Sequence, residues 1–349
     1  MNDLFPDIKT VVVKVKTDKP VRKTPYQVKG VFIKKHPDEP ITPMLDGSYR
    51  KKFSYPRVQV KILNEQIYII GINEGVDPVL SIPDRIKELD FGNITFLIND
   101  FEINKETQQF IPSGSIIKYS FITPWAALNH MTGNKYRVLS NNKKISYLNK
   151  LLGYNLIFLA KEMGISVDKG IYTKVEIPNL YPKSIDDNKW KSFKGEFKTN
   201  IILPSYIGIG NGVTRGYGTI EGMLDADTIL FDKELDSNEI KDMELVLPND
   251  VPKRKNKRTK NKKFKNNRTN NVHKGKSFKG SKSYKNKYSS KPKNNFYNKN
   301  KPIKKSGSMF SEDFDVIVDG NIDASNSEND STDDQRFNTE KHHKQQHKF

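Results

Sequence analysis

The chain has no cysteine among its 349 residues. It can therefore form neither a disulfide framework nor a thiolate metal site, and zinc-finger chemistry is excluded. Long apolar runs are also missing: the longest mostly apolar stretch, Leu151 to Ala160, is about half of what a bilayer crossing needs. The first ten residues, MNDLFPDIKT, lack the apolar core of a signal peptide. Histidine is scarce, with only His36 and His130 in residues 1–224. These absences predict a soluble, cytoplasmic protein with no membrane partner.

Basic charge is abundant but unevenly placed. The net charge is +19, yet residues 252–305 hold 22 Lys and Arg and no acid. Residues 306–349 carry 10 acids against 4 bases, which leaves 34 bases and 31 acids in residues 1–251. An argument from net charge to nucleic acid therefore concerns the tail and not the fold. The basic segment has few branched apolar residues, and composition predicts disorder over 252–349. Phe264, Phe278, Tyr284, Tyr288, Phe296 and Tyr297 punctuate its lysines, which suits loose contacts with RNA phosphates and bases. A merely solubilising extension is the competing reading.

Periodicity organises the rest. Ile8 to Lys16 alternates as a strand, Thr24 and Pro25 open a helix to about Lys35, and Val58 to Ile72 reads as a hairpin around Asn64–Glu65. A helix around Leu80–Leu89 and a strand over Ile94–Phe101 complete a β-α-β-β-α-β order, the ferredoxin-like unit. A second, less regular unit follows. It comprises a strand at Ser115–Phe121, a helical or irregular stretch at TPWAALN, a helix over Ile145–Met163, and strands at Ile171–Ile177, Gly195–Leu203 and Tyr217–Met223. Leu148, Leu151, Leu152, Leu156, Leu159 and Met163 recur at helical spacing. The predicted class is α+β: two tandem ferredoxin-like (RRM-like) units at 1–104 and 105–224. A connector at 225–251 with a short helix near Glu239–Leu245 precedes the tail, basic over 252–305 and acidic over 306–349.

Between the last two strands lies GIGNGVTRGYG, residues 208–218. Gly208, Gly210, Gly212, Gly216 and Gly218 permit positive φ and close backbone approach, so such a loop can present amides to phosphate oxygens. Arg215 adds a charge-assisted partner. The loop leads into a strand instead of a helix, and no Gly-Lys-Ser/Thr phosphate loop exists, so no nucleotide cofactor is expected.

With this loop the sequence resembles the sixth CRISPR-associated (Cas) protein family, subtype b, of the RAMP superfamily. These are endoribonucleases that cleave CRISPR repeat RNA. The family hallmark GhG-x(5)-GhG is met by Gly208-Ile209-Gly210, Asn211 to Arg215, and Gly216-Tyr217-Gly218. TPYQVKG at 24–30, YPRVQVK at 55–61, GINEGVD at 71–77, FITPWAALN at 121–129 and GEFKTNIILPSY at 195–206 follow in the family's order. The resemblance implies metal-independent cleavage, in which a 2′-OH attacks the adjacent phosphate to leave a 2′,3′-cyclic phosphate and a 5′-OH. CRISPR repeat RNA is the implied partner, with an interference complex receiving the product, and no metal or other cofactor.

Such chemistry needs a base, an acid and positive charge at the phosphorane. The family places its histidines in the loop after the first helix, here HPDEPITPMLDGSYRKKFSYP, and the usual His-x-His is absent. His36 opens this loop as a candidate base, or else is a helix C-terminal histidine favoured by the macrodipole. Tyr49 and Lys51 are the other catalytic candidates, or else belong with their neighbours to a basic hairpin that grips RNA phosphates. Arg50 and Lys52 are expected on RNA phosphates, together with Gly208, Gly210, Arg215, Gly216 and Gly218; Arg22 and Lys23 ahead of the first helix read either as phosphate contacts or as a solvated turn. Asp186–Asp187 reads as a solvated loop, His130 as a surface or capping residue, and Trp125 and Tyr217 as packing. A binding protein of the same fold without catalysis, and an RNA chaperone acting through its tail, are the rival functions.

Overall fold

The computed structural model describes residues 5–185, 190–223 and 235–252. The tail expected to be disordered lies outside these residues from Lys253 onward, as do Asp186–Asp187. No helix among those described is long and apolar enough to cross a membrane.

The first sheet grows from β1 (Thr10–Thr17). Helix α1 (Pro25–Lys35) follows, opened by a capping box in which the Thr24 hydroxyl accepts from the Gln27 amide and the Gln27 side chain accepts from the Thr24 amide. A short α2 (Thr42–Leu45) precedes β2 (Val58–Leu63) and β3 (Gln66–Ile72). The β2–β3 turn falls at Asn64–Glu65, both with positive φ, as a two-residue hairpin turn requires.

The helix expected at Leu80–Leu89 is instead two short pieces, α3 (Val76–Leu80) and α4 (Ile82–Arg85), followed by strand β4 (Glu88–Asp90). The chain cannot continue one helix there, because Pro83 lacks the amide that interior positions need, and Leu89 pairs with Phe96. β5 (Thr95–Glu106) closes a sheet of order β2-β3-β1-β5-β4. That is the ferredoxin-like order with β4 added at one edge.

The second unit contains β6 (Pro112–Phe121) and β7 (Trp125–Leu128), so TPWAALN supplies a strand and not a helical start. Next come α5 (His130–Arg137), capped by Asn129, and α6 (Asn141–Glu162). Strands β8 (Ile171–Glu176), β9 (Lys183–Ile185), β10 (Trp190–Phe193), β11 (Glu196–Ile201) and β12 (Ile220–Gly222) follow. α7 (Ser237–Ile240) and β13 (Glu244–Val246) come last, so part of the segment expected to be helical is an edge strand. The larger sheet has order β12-β6-β11-β8-β13 and a smaller one β7-β10-β9. The β12-β6-β11-β8 part of the larger sheet repeats the β5-β1-β3-β2 order of the first unit, with the glycine-rich stretch in the place of the second helix and the added strand at the opposite edge.

Two apolar cores explain the run of valines in β1. Val11, Val13 and Val15 face α1 together with Val28 and Phe32. Val12, Ile70 and Ile72 face the other way and join the leucine stripe of α6. A sheet buried on both faces selects continuous apolar residues over strict alternation. The two units therefore share a core, which seats the glycine-rich loop against the first unit.

Candidate functional site

After β11 the chain enters GIGNGVTRGYG. Val213–Arg215 makes a single turn, flanked by Gly212 and Gly216 at φ +70° and +93°. A methyl group at Gly212 would lie 2.6 Å from the Trp190 ring, so only glycine fits. Gly218 likewise has φ +64°, with its missing side chain aimed into the Ile209 carbonyl. The loop is mostly buried. Three of its glycine amides are taken up inside the protein: Gly208 N donates to Gln59 Oε1 at 2.9 Å, Gly216 N to the Val213 carbonyl at 3.1 Å and Gly218 N to the Pro124 carbonyl at 2.9 Å.

Strand β2 and the residues leading into it grip the loop with side chains. The Tyr55 hydroxyl donates to the Gly208 carbonyl at 2.7 Å, Gln59 accepts from the Gly208 amide, and Lys61 Nζ donates to the Val213 carbonyl at 2.9 Å. Lys61 is 0% exposed. Burial, reinforced by the charge of Lys29, holds its amine down to about 7. Lys29 is itself buried on α1, with its ammonium 5.8 Å from the Tyr26 ring centre. Arg215 is 7% exposed and stacks its guanidinium 5.0 Å from the Trp190 ring centre. Gly216 abuts Pro25 at the start of α1. Lys29, Lys61 and Arg215 thus stand on the three elements, α1, β2 and the turn, that meet here.

The chain following α1 carries the catalytic candidates. His36 is the C-cap of α1: its amide donates to the Phe32 carbonyl, and its own carbonyl accepts from the Thr42 hydroxyl at 2.6 Å. Its ring sits 6.0 Å from that of Phe32. Tyr49, Lys52, Phe53 and Arg57 form a stack of rings and cations. Tyr49 and Phe53 centres are 5.9 Å apart, with Lys52 Nζ 5.0 Å and the Arg57 guanidinium 4.7 Å from the Phe53 ring. Arg50 and Lys51 are exposed.

This segment is pinned to the end of α6. Glu162 accepts from the amides of Ser54 and Tyr55, and Arg57 donates to the Glu162 carbonyl at 2.8 Å while bridging Glu74. Tyr49 stands six positions before Tyr55, so Tyr49 and Lys51 lie within about 20 Å of the residue that holds Gly208.

Arg22 and Lys23 point elsewhere. Arg22 bridges Glu65 at 2.8 Å, and Lys23 lies 3.3 Å from Asn93 Oδ1 and 5.1 Å from the Phe91 ring centre. They sit where the hairpin turns of the first sheet gather, away from the Tyr49–Arg57 stack. Trp125 and Tyr217 are buried, and His130 is exposed at the first position of α5. Among the described residues, no three His, Asp or Glu side chains are placed to hold a metal ion.

Sequence reasoning missed Lys29, Lys61, Gln59 and Tyr55. The signal available was the pair of polar residues Gln59 and Lys61 inside an otherwise apolar strand; alternation assigns them to solvent, and only the docked loop buries them.

Comparison with known proteins places this geometry. Residues 6–109 match the Cas6b N-terminal domain and residues 112–223 the Cas6b C-terminal domain. An uncharacterized protein of Methanocaldococcus jannaschii is 30% identical over 137 residues, 39% of this chain and 92% of that protein. A crystal structure of Cas6b is 26% identical with TM-score 0.53, covering 62% of this chain and all of that one. The crystal structure of CRISPR RNA processing endoribonuclease Cas6b is 24% identical with TM-score 0.48, again covering 62% of this chain and all of that one. The two domain matches together span more than half of the sequence, and the chain belongs to the Cas6b family.

Proposed function

We propose that this chain is a prokaryotic, cytoplasmic endoribonuclease that matures CRISPR RNA by cutting repeat transcripts without a metal ion. The 2′-oxygen attacks the adjacent phosphorus, the bond to the 5′-oxygen breaks, and a 2′,3′-cyclic phosphate and a 5′-OH remain. His36 takes the 2′-OH proton. Tyr49 returns a proton to the leaving 5′-oxygen, and Lys51 steadies the extra negative charge on the phosphorane. Arg50 and Lys52 hold flanking phosphates, and Arg22 and Lys23 receive a more distant part of the same strand. Gly208, Gly210, Arg215, Gly216 and Gly218 shape the surface on which the RNA rests. The units at 1–104 and 105–224 act as one RNA-binding body, and the product passes to an interference complex.

The observation that carries this reading is the match of both Cas6b domains across residues 6–223. Support also comes from the tie between the segment bearing Tyr49 and the glycine-rich loop through Tyr55 and Gly208. One experiment tests it: the purified protein is incubated with a repeat RNA from its own genome in excess EDTA. A single cut with a cyclic phosphate end is the expected result. Tight binding without cleavage would instead favour an inactive binding protein, a reading to which the missing His-x-His lends weight.

A further inference from the structure

We propose that Lys61 is a positioning residue for RNA cleavage: through the Val213 carbonyl it fixes the turn that carries Arg215 beside helix α1. The inference rests on the RNA-processing reading above and adds to it a residue that solvent does not reach. A lysine wholly enclosed in a Val- and Ile-rich strand is costly, and an apolar side chain would fill the same space at less expense. Its ammonium is aimed at the turn, 2.9 Å from the Val213 oxygen. β2 is paired with β3 along its whole length, Lys61 opposite Tyr68, so the donor starts from a rigid base. The turn, by contrast, has a positive-φ glycine at each end, where the backbone can re-aim.

The surroundings of Lys61 also bear on its proton. The elements packed on β2 are α1, α2, β3 and the Val213–Arg215 turn, and none of them contains an Asp or Glu. Lys29 is the charge that acts on it; α1 also carries Tyr26, Lys34 and Lys35, the turn Arg215, β3 Tyr68, and the chain leading into β2 Tyr55 and Arg57. Burial and Lys29 already bring its amine to about 7. A polyanion laid over the loop favours the ammonium form, so RNA binding near neutrality takes up a proton at Lys61.

The test compares full-length wild type, Lys61→Met and Lys61→Gln on repeat RNA transcribed from the array of its own genome. At saturating RNA and pH 7, Lys61→Met is expected to cut about tenfold or more slowly in a single turnover, and its Kd to rise as the Arg215 contact is displaced. Calorimetry at pH 8, above the histidine range, in two buffers of different ionisation enthalpy should register proton uptake on RNA binding by wild type and less by Lys61→Gln. Wild type that does not cut the RNA removes the RNA-processing reading, and this proposal with it. Wild type that cuts, beside variants with the same rate and the same proton uptake, overturns the role of Lys61 alone. If Lys61→Met does not fold, Lys61→Gln and the wild-type calorimetry decide, and no proton uptake by wild type overturns the proposal.

Discussion

The Tyr55 hydroxyl donates to the Gly208 carbonyl at 2.7 Å, joining the end of the segment that bears Tyr49 to the first glycine of a loop 153 residues away. Both groups are buried, and desolvation pushes the phenol well above its usual range, so it remains a donor wherever the protein is folded.

Tyr55→Phe leaves that carbonyl buried without its donor. The expected loss is about 1–3 kcal/mol of unfolding free energy. It should be read as a lower urea midpoint at unchanged slope; an unchanged midpoint would mean that water replaces the hydroxyl freely.

Two glycine substitutions should move stability in opposite directions. Gly218→Ala places a methyl group against the Ile209 carbonyl at a positive φ and should cost about 2 kcal/mol or more. Gly30→Ala lies inside α1 with nothing within 4 Å of the added carbon. It should gain roughly 0.5–1 kcal/mol, because alanine has less chain entropy to lose. Thermal melts of the two variants decide, and a destabilised Gly30→Ala would contradict the open space beside it.

Lys61 should leave a signature in stability against pH. Its amine is lowered from 10.5 to about 7 on folding, so between those values the unfolded chain binds more protons, and this group makes stability rise with pH. Below about 7 both states are protonated and the full cost of burying the charge is present. That cost is roughly 5 kcal/mol at most. Unfolding free energy of wild type minus that of Lys61→Met should therefore climb by a few kcal/mol from pH 7 to 10. A flat difference would mean that the buried amine keeps an ordinary affinity for its proton.

The candidates on the chain after α1 should separate into chemistry and binding. His36→Ala, Tyr49→Phe and Lys51→Ala are each expected to slow single-turnover cleavage by about a hundredfold or more, with RNA affinity nearly unchanged. Arg50→Ala and Lys52→Ala should instead weaken binding and lower its salt dependence by about one counterion each. Equal cutting by wild type and His36→Ala would shift the base to Tyr49 and Lys51.

Sequence alone determined a good deal of this protein. Thr24, Gln27 and Pro25 announce the start of α1 because capping needs only neighbours a few residues apart. The leucines of α6 announce its buried stripe for the same reason, and β1, α1, β2 and β3 of the first unit follow from local periodicity. The class of the fold and the position of the glycine-rich loop between the last two strands were legible in this way. Tertiary structure decided what covers each face. Periodicity marks Gln59 and Lys61 as polar positions on a strand, which reads as a surface facing water. The second unit instead docks there, through a core shared by Val12, Ile70 and Ile72 with the leucines of α6, and lays its glycines on them. A contact across some 150 residues depends on how two sheets stack, and no window of the sequence holds both partners. For that reason the sequence shows the glycines of the loop but not the side chains of Tyr55, Gln59 and Lys61 that hold it.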